Sequence, residues 1–132
     1  MTDLKLAAQD AIFDKLSAAL AGLNVPVYQH APENQEPPVV LIGAMRAEPV
    51  GGKDGGLDRI EMEILSYVRA PGREHLTPVM TLVRETLEEQ PLTADDVLLS
   101  APVFEGDEDD LDEDGQTYVG VQRFSLFAQP DE

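Results

Sequence analysis

The chain of 132 residues is long enough for one domain with a buried core and too short for two ordinary domains. An apolar content of 42% excludes wholesale disorder, and the lack of cysteine excludes disulfides and thiol catalysis. The formal net charge of −17 disfavours binding to nucleic acid or to anionic membranes, because such binding depends on Lys and Arg near phosphates.

The N-terminal segment has no basic region followed by an apolar core, and no apolar run reaches the length of a membrane span. We therefore expect a soluble protein that is not exported. Residues 3–21 predict an amphipathic helix, which Thr2 or Asp3 can cap and Gly22 can end. Its apolar residues recur every three or four positions: Leu4, Ala8, Ile12, Leu16, Ala19 and Leu20, with Phe13 beside them.

A short extended piece, VPVYQ, and a proline-containing polar loop lead to a strand that begins at Val39 and ends at GGKDGG. The segment LDRIEMEILSYVRA then alternates between two faces, which predicts a half-buried strand antiparallel to its predecessor. One face carries Ile60, Met62, Ile64, Ser66 and Val68, and the other carries Glu61, Glu63, Leu65, Tyr67 and Arg69.

A second helix begins either at Thr77 and Pro78 or near Arg73. Its apolar stripe comprises Leu76, Val79, Met80, Val83 and Leu87. The segment DVLLSAPVFE predicts a strand interrupted or bulged near Pro102. The segment TYVGVQRFSLFA predicts a final strand that is bulged or buried on both faces around Gln122 and Arg123.

These elements predict a single α+β domain over residues 1–132, in the order α-β-β-β-α-β-β. We expect an antiparallel sheet of about four main strands with two helices packed on one side.

Between the last two strands lies EGDEDDLDEDG, residues 105–115, for which we expect an acidic hairpin loop with an Asp-Gly turn. Its carboxylates are Glu105, Asp107, Glu108, Asp109, Asp110, Asp112, Glu113 and Asp114. The spacing from Asp110 to Gly115 matches half of an EF-hand loop, but Val121 stands where a bidentate Glu is required. We expect no specific metal site and no cofactor, and we leave weak divalent-ion binding open. Replacing Asp110, Asp112 and Asp114 with Asn should leave the fold and its melting temperature unchanged in the absence of calcium.

Two further segments are candidates for contact with partners. The tip GGKDGG lacks the GK[ST] ending of a phosphate loop and predicts a flexible hairpin tip at Gly51, Gly52, Lys53, Asp54, Gly55 and Gly56. Glu61 and Glu63 share a strand face, which allows acid/base chemistry but is more typical of a solvated face or of one facing basic residues of another subunit. Because Leu65, Tyr67 and Arg69 lie on that same face, we expect subunit packing there. No catalytic motif is present, so we expect no enzyme.

Three segments together resemble the tail-terminator or tail-completion proteins of long-tailed phages, prophages and gene transfer agents. They are VPVYQHAPENQEPPVVLIG after the first helix, DRIEMEILSYVRAPG before the second, and the closing DGQTYVGVQRFSLFA. The resemblance implies a structural virion protein, assembled in the cytoplasm of a bacterial host, at the head-proximal end of the tail.

The same resemblance implies a homo-oligomer, a hexameric ring that caps the tube of major tail protein, ends its polymerisation and meets the head-tail connector, or stopper protein. DNA would pass through the ring without specific binding. The acidic residues 105–114 depart from the family pattern, and we expect them at the channel or a ring face because their charge repels DNA. Two alternatives remain: an acidic DNA mimic that occupies a basic partner, or another soluble interaction module.

Overall fold

The computed structural model describes residues 3–30, 35–51 and 56–131. These residues form two α-helices and seven strands, with short 3-10 helices at Ala21–Leu23 and Arg73–His75. In chain order the elements are α1 (Leu4–Leu20), β1 (Val27–Tyr28), β2 (Val39–Pro49), β3 (Asp58–Arg69), α2 (Thr77–Glu88), β4 (Thr93–Ala94), β5 (Val97–Leu99), β6 (Val103–Leu111) and β7 (Thr117–Pro130).

All seven strands belong to one sheet in the order β1-β2-β3-β7-β5-β4, and β6 pairs with another stretch of β7. The α+β class is confirmed, but the sheet is mixed because β1 runs parallel to β2. The long strands β2, β3 and β7 pair antiparallel, as predicted, and β6 also pairs antiparallel with β7. The predicted short strand in VPVYQ is β1, and the predicted strand DVLLSAPVFE divides around Pro102 into β5 and the start of β6. The two-residue strand β4 was not predicted, because it is too short to show a periodic pattern.

Both helices begin close to where the sequence predicts. The Asp3 carboxylate caps α1 by accepting a hydrogen bond from the Leu6 amide at 3.0 Å. Helix α2 begins at Thr77 with Pro78 in its first turn, and the 3-10 turn from Arg73 precedes it. The predicted stripe on α2 is buried, and on α1 the positions Ala8, Ile12, Leu16 and Leu20 are buried.

The core lies between the two helices and the inner face of the sheet. Strand β3 contributes the predicted alternation, with Ile60, Met62, Ile64, Ser66 and Val68 all buried. Strand β7 stays in register with β3 from Thr117 to Ala128, so it has no bulge against that neighbour. Phe124, Ser125 and Leu126 are buried in succession, so β7 is buried on both faces at these residues. Around Gln122 and Arg123, where the sequence suggested it, only Gln122 is buried and Arg123 is exposed.

The acidic segment is mainly a strand, and the prediction of an acidic hairpin loop over residues 105–115 is wrong for residues 105–111. These residues pair with β7 from Arg123 to Tyr118. A bulge at Glu105 shifts the register, and Gly106 takes a positive φ of 136° there. Only residues 112–116 connect the two strands. Because Asp and Glu are depleted in strands, local composition favoured a loop.

Candidate functional site

The face of the sheet turned away from the helices, called the open face below, carries an apolar patch. In the sheet register Leu41 lies opposite Leu65, which lies opposite Val121, and Tyr67 lies opposite Val119. All five side chains are half-buried without a helix over them. The predicted packing residues Leu65 and Tyr67 therefore lie at the centre of a patch contributed by three strands.

Charged residues border this patch in a group of ion pairs, called the open-face ion cluster. Glu63 lies opposite Arg123 in the register, with Oε2 3.4 Å from Nε, and Glu61 pairs with Arg59. Arg123 also reaches Glu108 at 2.9 Å on β6. The basic partners of Glu61 and Glu63 thus come from the same chain. The sequence alone had also allowed basic residues of another subunit.

The ion cluster fixes the charge state of its arginines. The hydrogen bond from Arg59 to Glu61 raises the pKa of the Arg59 guanidinium above its ordinary value, and the nearby carboxylates of Glu105 and Glu48 act in the same direction. The hydrogen bond to Glu108 raises the pKa of Arg123, with a further contribution from Glu63. Both guanidinium groups stay protonated and serve as fixed links between strands.

A cleft of about 400 Å³ opens beside the ion cluster, where β2 has a register shift between Ile42 and Met45. Its apolar lining includes Met45, Met62 and Phe124. Its other described lining residues are Ala44, Arg46, Arg59, Glu61, Glu63, Glu105 and Arg123. Because this lining includes no Ser, Thr or His, and Glu61 and Glu63 are engaged with arginines, the geometry favours a contact surface over acid/base chemistry.

The remaining predicted contact residues lie at opposite ends of the sheet. Arg69 bonds Glu36 at 2.7 Å and lies 3.5 Å from the Thr117 hydroxyl, so it closes the end of the β3–β7 pair. Gly51 and Gly56 flank the β2–β3 connection, which the Val50 amide closes through a 2.8 Å hydrogen bond to Leu57. Residues 52–55, with Lys53 and Asp54, lie outside the described residues.

The acidic side chains of β6 divide between two faces. Glu108 and Asp110 lie opposite Val121 and Val119 on the open face. Asp107 and Asp109 lie on the helix side, opposite Gln122 and Gly120, and Arg73 pairs with Asp109. Glu105 extends from the bulge to bond Arg59 at 3.1 Å and Ser125. The strand thus presents carboxylates on both faces of the sheet.

Asp114 fastens the connection between β6 and β7. Its Oδ1 accepts from the amides of Gln116 and Thr117, both at 2.8 Å, and its Oδ2 accepts from the Thr117 hydroxyl at 2.6 Å. The Thr117 hydroxyl bond, followed by the two amide bonds, lowers the pKa of Asp114. Gly115 has a positive φ of 70°, as the predicted Asp-Gly turn requires.

The residues that match half of an EF-hand do not form one continuous loop, because the end of β6 falls between them. Asp110 lies in β6, Asp112 and Asp114 lie in the turn, and β7 follows where an EF-hand has a helix. Across residues 3–30, 35–51 and 56–131, no group of three or more His, Asp or Glu could hold a metal ion.

Sequence reasoning did not find a second cleft, of about 460 Å³, between α2 and β6. Gln122 lines it from the buried face of β7, and its amide nitrogen donates to the Met80 carbonyl at 2.9 Å. The sequence does carry a sign of this cleft. Gln122 is polar, although it occupies a position of the final strand at which the alternation predicts an apolar residue.

The model of the family described as "Tail completion protein gp17" matches residues 10–128. The chain belongs to this family. The predicted family is confirmed, and the protein is a structural component of the virion tail. None of the curated proteins compared with the sequence matches it. Within the described residues, no helix is long and apolar enough to cross a membrane.

Solved structures of other proteins share the fold, among them the following two. A chain from the "Virion of native gene transfer agent (GTA) particle" superimposes with a TM-score of 0.84 at 16% identity, covering 98% of this chain and 99% of that one. The "Structure of bacteriophage SPP1 gp17 protein" gives a TM-score of 0.56 at 19% identity, covering 92% of this chain and 88% of the other.

Proposed function

We propose that the protein forms a ring, hexameric by the family resemblance, which caps the tail tube and joins it to the head connector. The family match over residues 10–128 carries this proposal. The similar chain in the gene transfer agent particle supports it, because that chain is part of an assembled virion. Capping would end polymerisation of the major tail protein, and the connector protein would bind the opposite side of the ring.

The open face supplies a surface suited to contact between subunits. A ring joins two unlike surfaces head to tail, so each subunit needs a patch that is apolar enough to bury and charged enough at its border to fix the register. The apolar patch around Leu65 and Tyr67 meets the first requirement, and the open-face ion cluster meets the second. We assign this face to the subunit interface.

The acidic strand suits a surface along which DNA passes. Each chain carries a formal charge of −17, so a ring of six would carry about a hundred negative charges. Phosphates are repelled by such a wall, whereas a basic wall would retain DNA. We assign β6, with Glu108 and Asp110 among its carboxylates, to the channel or to a ring face.

Mixing the purified protein with tubes of its tail protein tests the proposal. Negative-stain imaging should show rings at tube ends, and added protein should shorten growing tubes. Leu65→Glu should prevent rings while leaving the melting temperature within a few degrees, because Leu65 is half-buried on the open face. Leu6→Glu is the matched control, since Leu6 is 51% exposed on α1.

Rings that form equally well with Leu65→Glu would remove the open face from the interface. Tubes that grow unchanged, with the parent protein absent from their ends, would overturn the capping function itself.

A DNA-mimic function remains the second candidate, favoured by one observation. The β6 carboxylates Glu108 and Asp110 follow an extended strand, with side chains on one face about 6.6 Å apart. The expectation that these carboxylates are bunched in a loop is therefore wrong. A mimic would displace DNA from a basic DNA-binding protein in a gel-shift competition, and a tail-completion subunit would not.

A further inference from the structure

Strand β6 has one edge that no other strand of the described sheet covers, because β6 pairs with β7 alone. The strands at the two ends of the sheet, β1 and β4, have two residues each, whereas β6 has nine. Residues 107–111 of β6 are all exposed, so another chain can reach this edge. A free edge of this length is a template for an added strand.

The alternation of backbone hydrogen bonds identifies the groups that point outward from this edge. The Asp112 amide donates to the Thr117 carbonyl at 2.7 Å, at the start of the β6–β7 ladder. Bonded and non-bonded pairs alternate along an antiparallel ladder, so the amides and carbonyls of Asp107 and Asp109 point away from β7. The Leu111 amide is next in this outward series, and it donates to the carboxylate of the preceding residue at 2.8 Å.

The side chains along this edge select a partner by charge. Every position from Asp107 to Asp110 carries a carboxylate, and successive residues of a strand point to opposite faces. The edge is therefore negative on both faces. A second copy that paired through its own β6 would place like charges opposite one another, which destabilises a strand pair. Lysine or arginine in an added strand would lie beside carboxylates on either face.

We propose that the outer edge of β6 binds an extended segment of a partner protein that carries Lys or Arg on both of its faces. Backbone hydrogen bonds to Asp107 and Asp109 hold the segment, and the opposite charges select it. This inference does not depend on ring formation, because the edge lies within one chain. In the proposed ring, such a partner requires β6 to lie at a ring face and not along the channel.

Hydrogen exchange of the full chain, followed by NMR, tests the added strand. The probe is the peptide KVTKVTK, whose lysines fall on both faces of a strand. At saturation it should slow exchange of the Asp107 and Asp109 amides at least about tenfold, because each gains a hydrogen bond. The amides of Glu108 and Asp110 already bond to β7 and should change less.

Two control peptides separate charge from strand pairing. The peptide QVTQVTQ has no lysine and should not bind. The peptide KVPKVPK keeps the lysines, but its prolines have no amide to donate, so it should not slow the exchange of the outward amides.

Two variants of the chain make the same separation. Asp109→Pro removes an outward amide without removing a bond to β7, whereas Asp109→Asn removes the same charge and keeps the amide. Asp109→Pro should weaken KVTKVTK binding about tenfold, and Asp109→Asn about two- to fivefold. Asp131→Asn removes a charge from an exposed residue beyond β7 and should leave binding unchanged.

Equal slowing of exchange by KVPKVPK would overturn the proposal in favour of general attraction to the acidic surface. Equal binding by the Asp109→Pro and Asp109→Asn chains would also overturn it, because the backbone would then contribute nothing. Outward amides that exchange slowly without peptide, and faster on dilution, would show that β6 pairs with a second copy instead. If Asp109→Pro does not fold, the exchange pattern of the parent chain decides.

Discussion

The Met80 thioether lies against Gly120, where helix α2 packs on strand β7. A Cβ added to Gly120 would lie 2.9 Å from Met80 Cε and closer still to Sδ. Met80 is 7% exposed, so its side chain would have to leave its packed position for the cleft between α2 and β6, which it also lines. We predict that Gly120→Ala lowers the free energy of unfolding by about 1–3 kcal/mol, as overpacking of a core does. Chemical denaturation of the parent and the variant measures this decrease in the free energy of unfolding.

Gly22→Ala provides the matched control. An added Cβ meets no atom within 4 Å there, and the residue lies in the 3-10 helix at Ala21–Leu23. Stability should rise slightly or stay level, because alanine reduces the freedom of the unfolded chain. Equal stability of both variants would mean that Met80 relocates without cost.

Asp114→Asn tests the connection between β6 and β7. The carboxylate accepts three hydrogen bonds, including the one from the Thr117 hydroxyl, so its loss should lower the melting temperature at neutral pH. This revises the expectation that Asn at position 114 is harmless. Glu113→Gln removes the same charge from the same turn, and we expect no change in melting temperature.

The pH dependence of that difference follows from the direction of the pKa shift. Folding lowers the pKa of Asp114 below its ordinary value of 3.8. The stabilisation is present above the ordinary value and is lost as the pH falls through the lower, folded value. Melting curves of parent and Asp114→Asn should therefore converge below about pH 4. A difference that stays constant down to pH 2 would contradict the assigned hydrogen bonds.

Arg84 connects α2 to β6 through an aromatic ring. Its guanidinium carbon lies 3.8 Å from the centroid of Phe104, and Nε bonds Glu88 one turn along the helix. Arg84→Ala should cost about 1 kcal/mol of unfolding free energy, the sum expected for a cation–π contact and a helix ion pair. Thermal or urea denaturation measures this. Arg84→Lys should retain only part of this unfolding free energy, because an ammonium stacks less well on the ring than a guanidinium does.

The sequence allowed the helices, the strands β2, β3 and β7 and the alternation of β3 to be predicted because these depend on local periodicity. Strand β6 could not be predicted, since its Glu and Asp residues are poor strand formers and its structure depends on pairing with β7. The open-face position of Leu65 and Tyr67 was predicted from alternation alone. The α2–β6 cleft depends on the register that places Asp107 opposite Gln122, which no local pattern encodes.

Arg123 provides the last test, because it links three strands of the open face. Its guanidinium reaches Glu63 on β3 and Glu108 on β6. Arg123→Gln would leave these carboxylates facing one another without a cation, so the melting temperature should fall.

The fall for Arg123→Gln should be larger in low salt than at 1 M sodium chloride, where the Debye length is only about 3 Å and like charges are screened. Arg46→Gln is the control for a cation on the same face, because its side chain is 72% exposed and bonds only Glu48 among the described residues. Its melting temperature should match that of the parent at both salt concentrations. Equal losses for the two variants would mean that the ion cluster acts through net charge and not through its geometry.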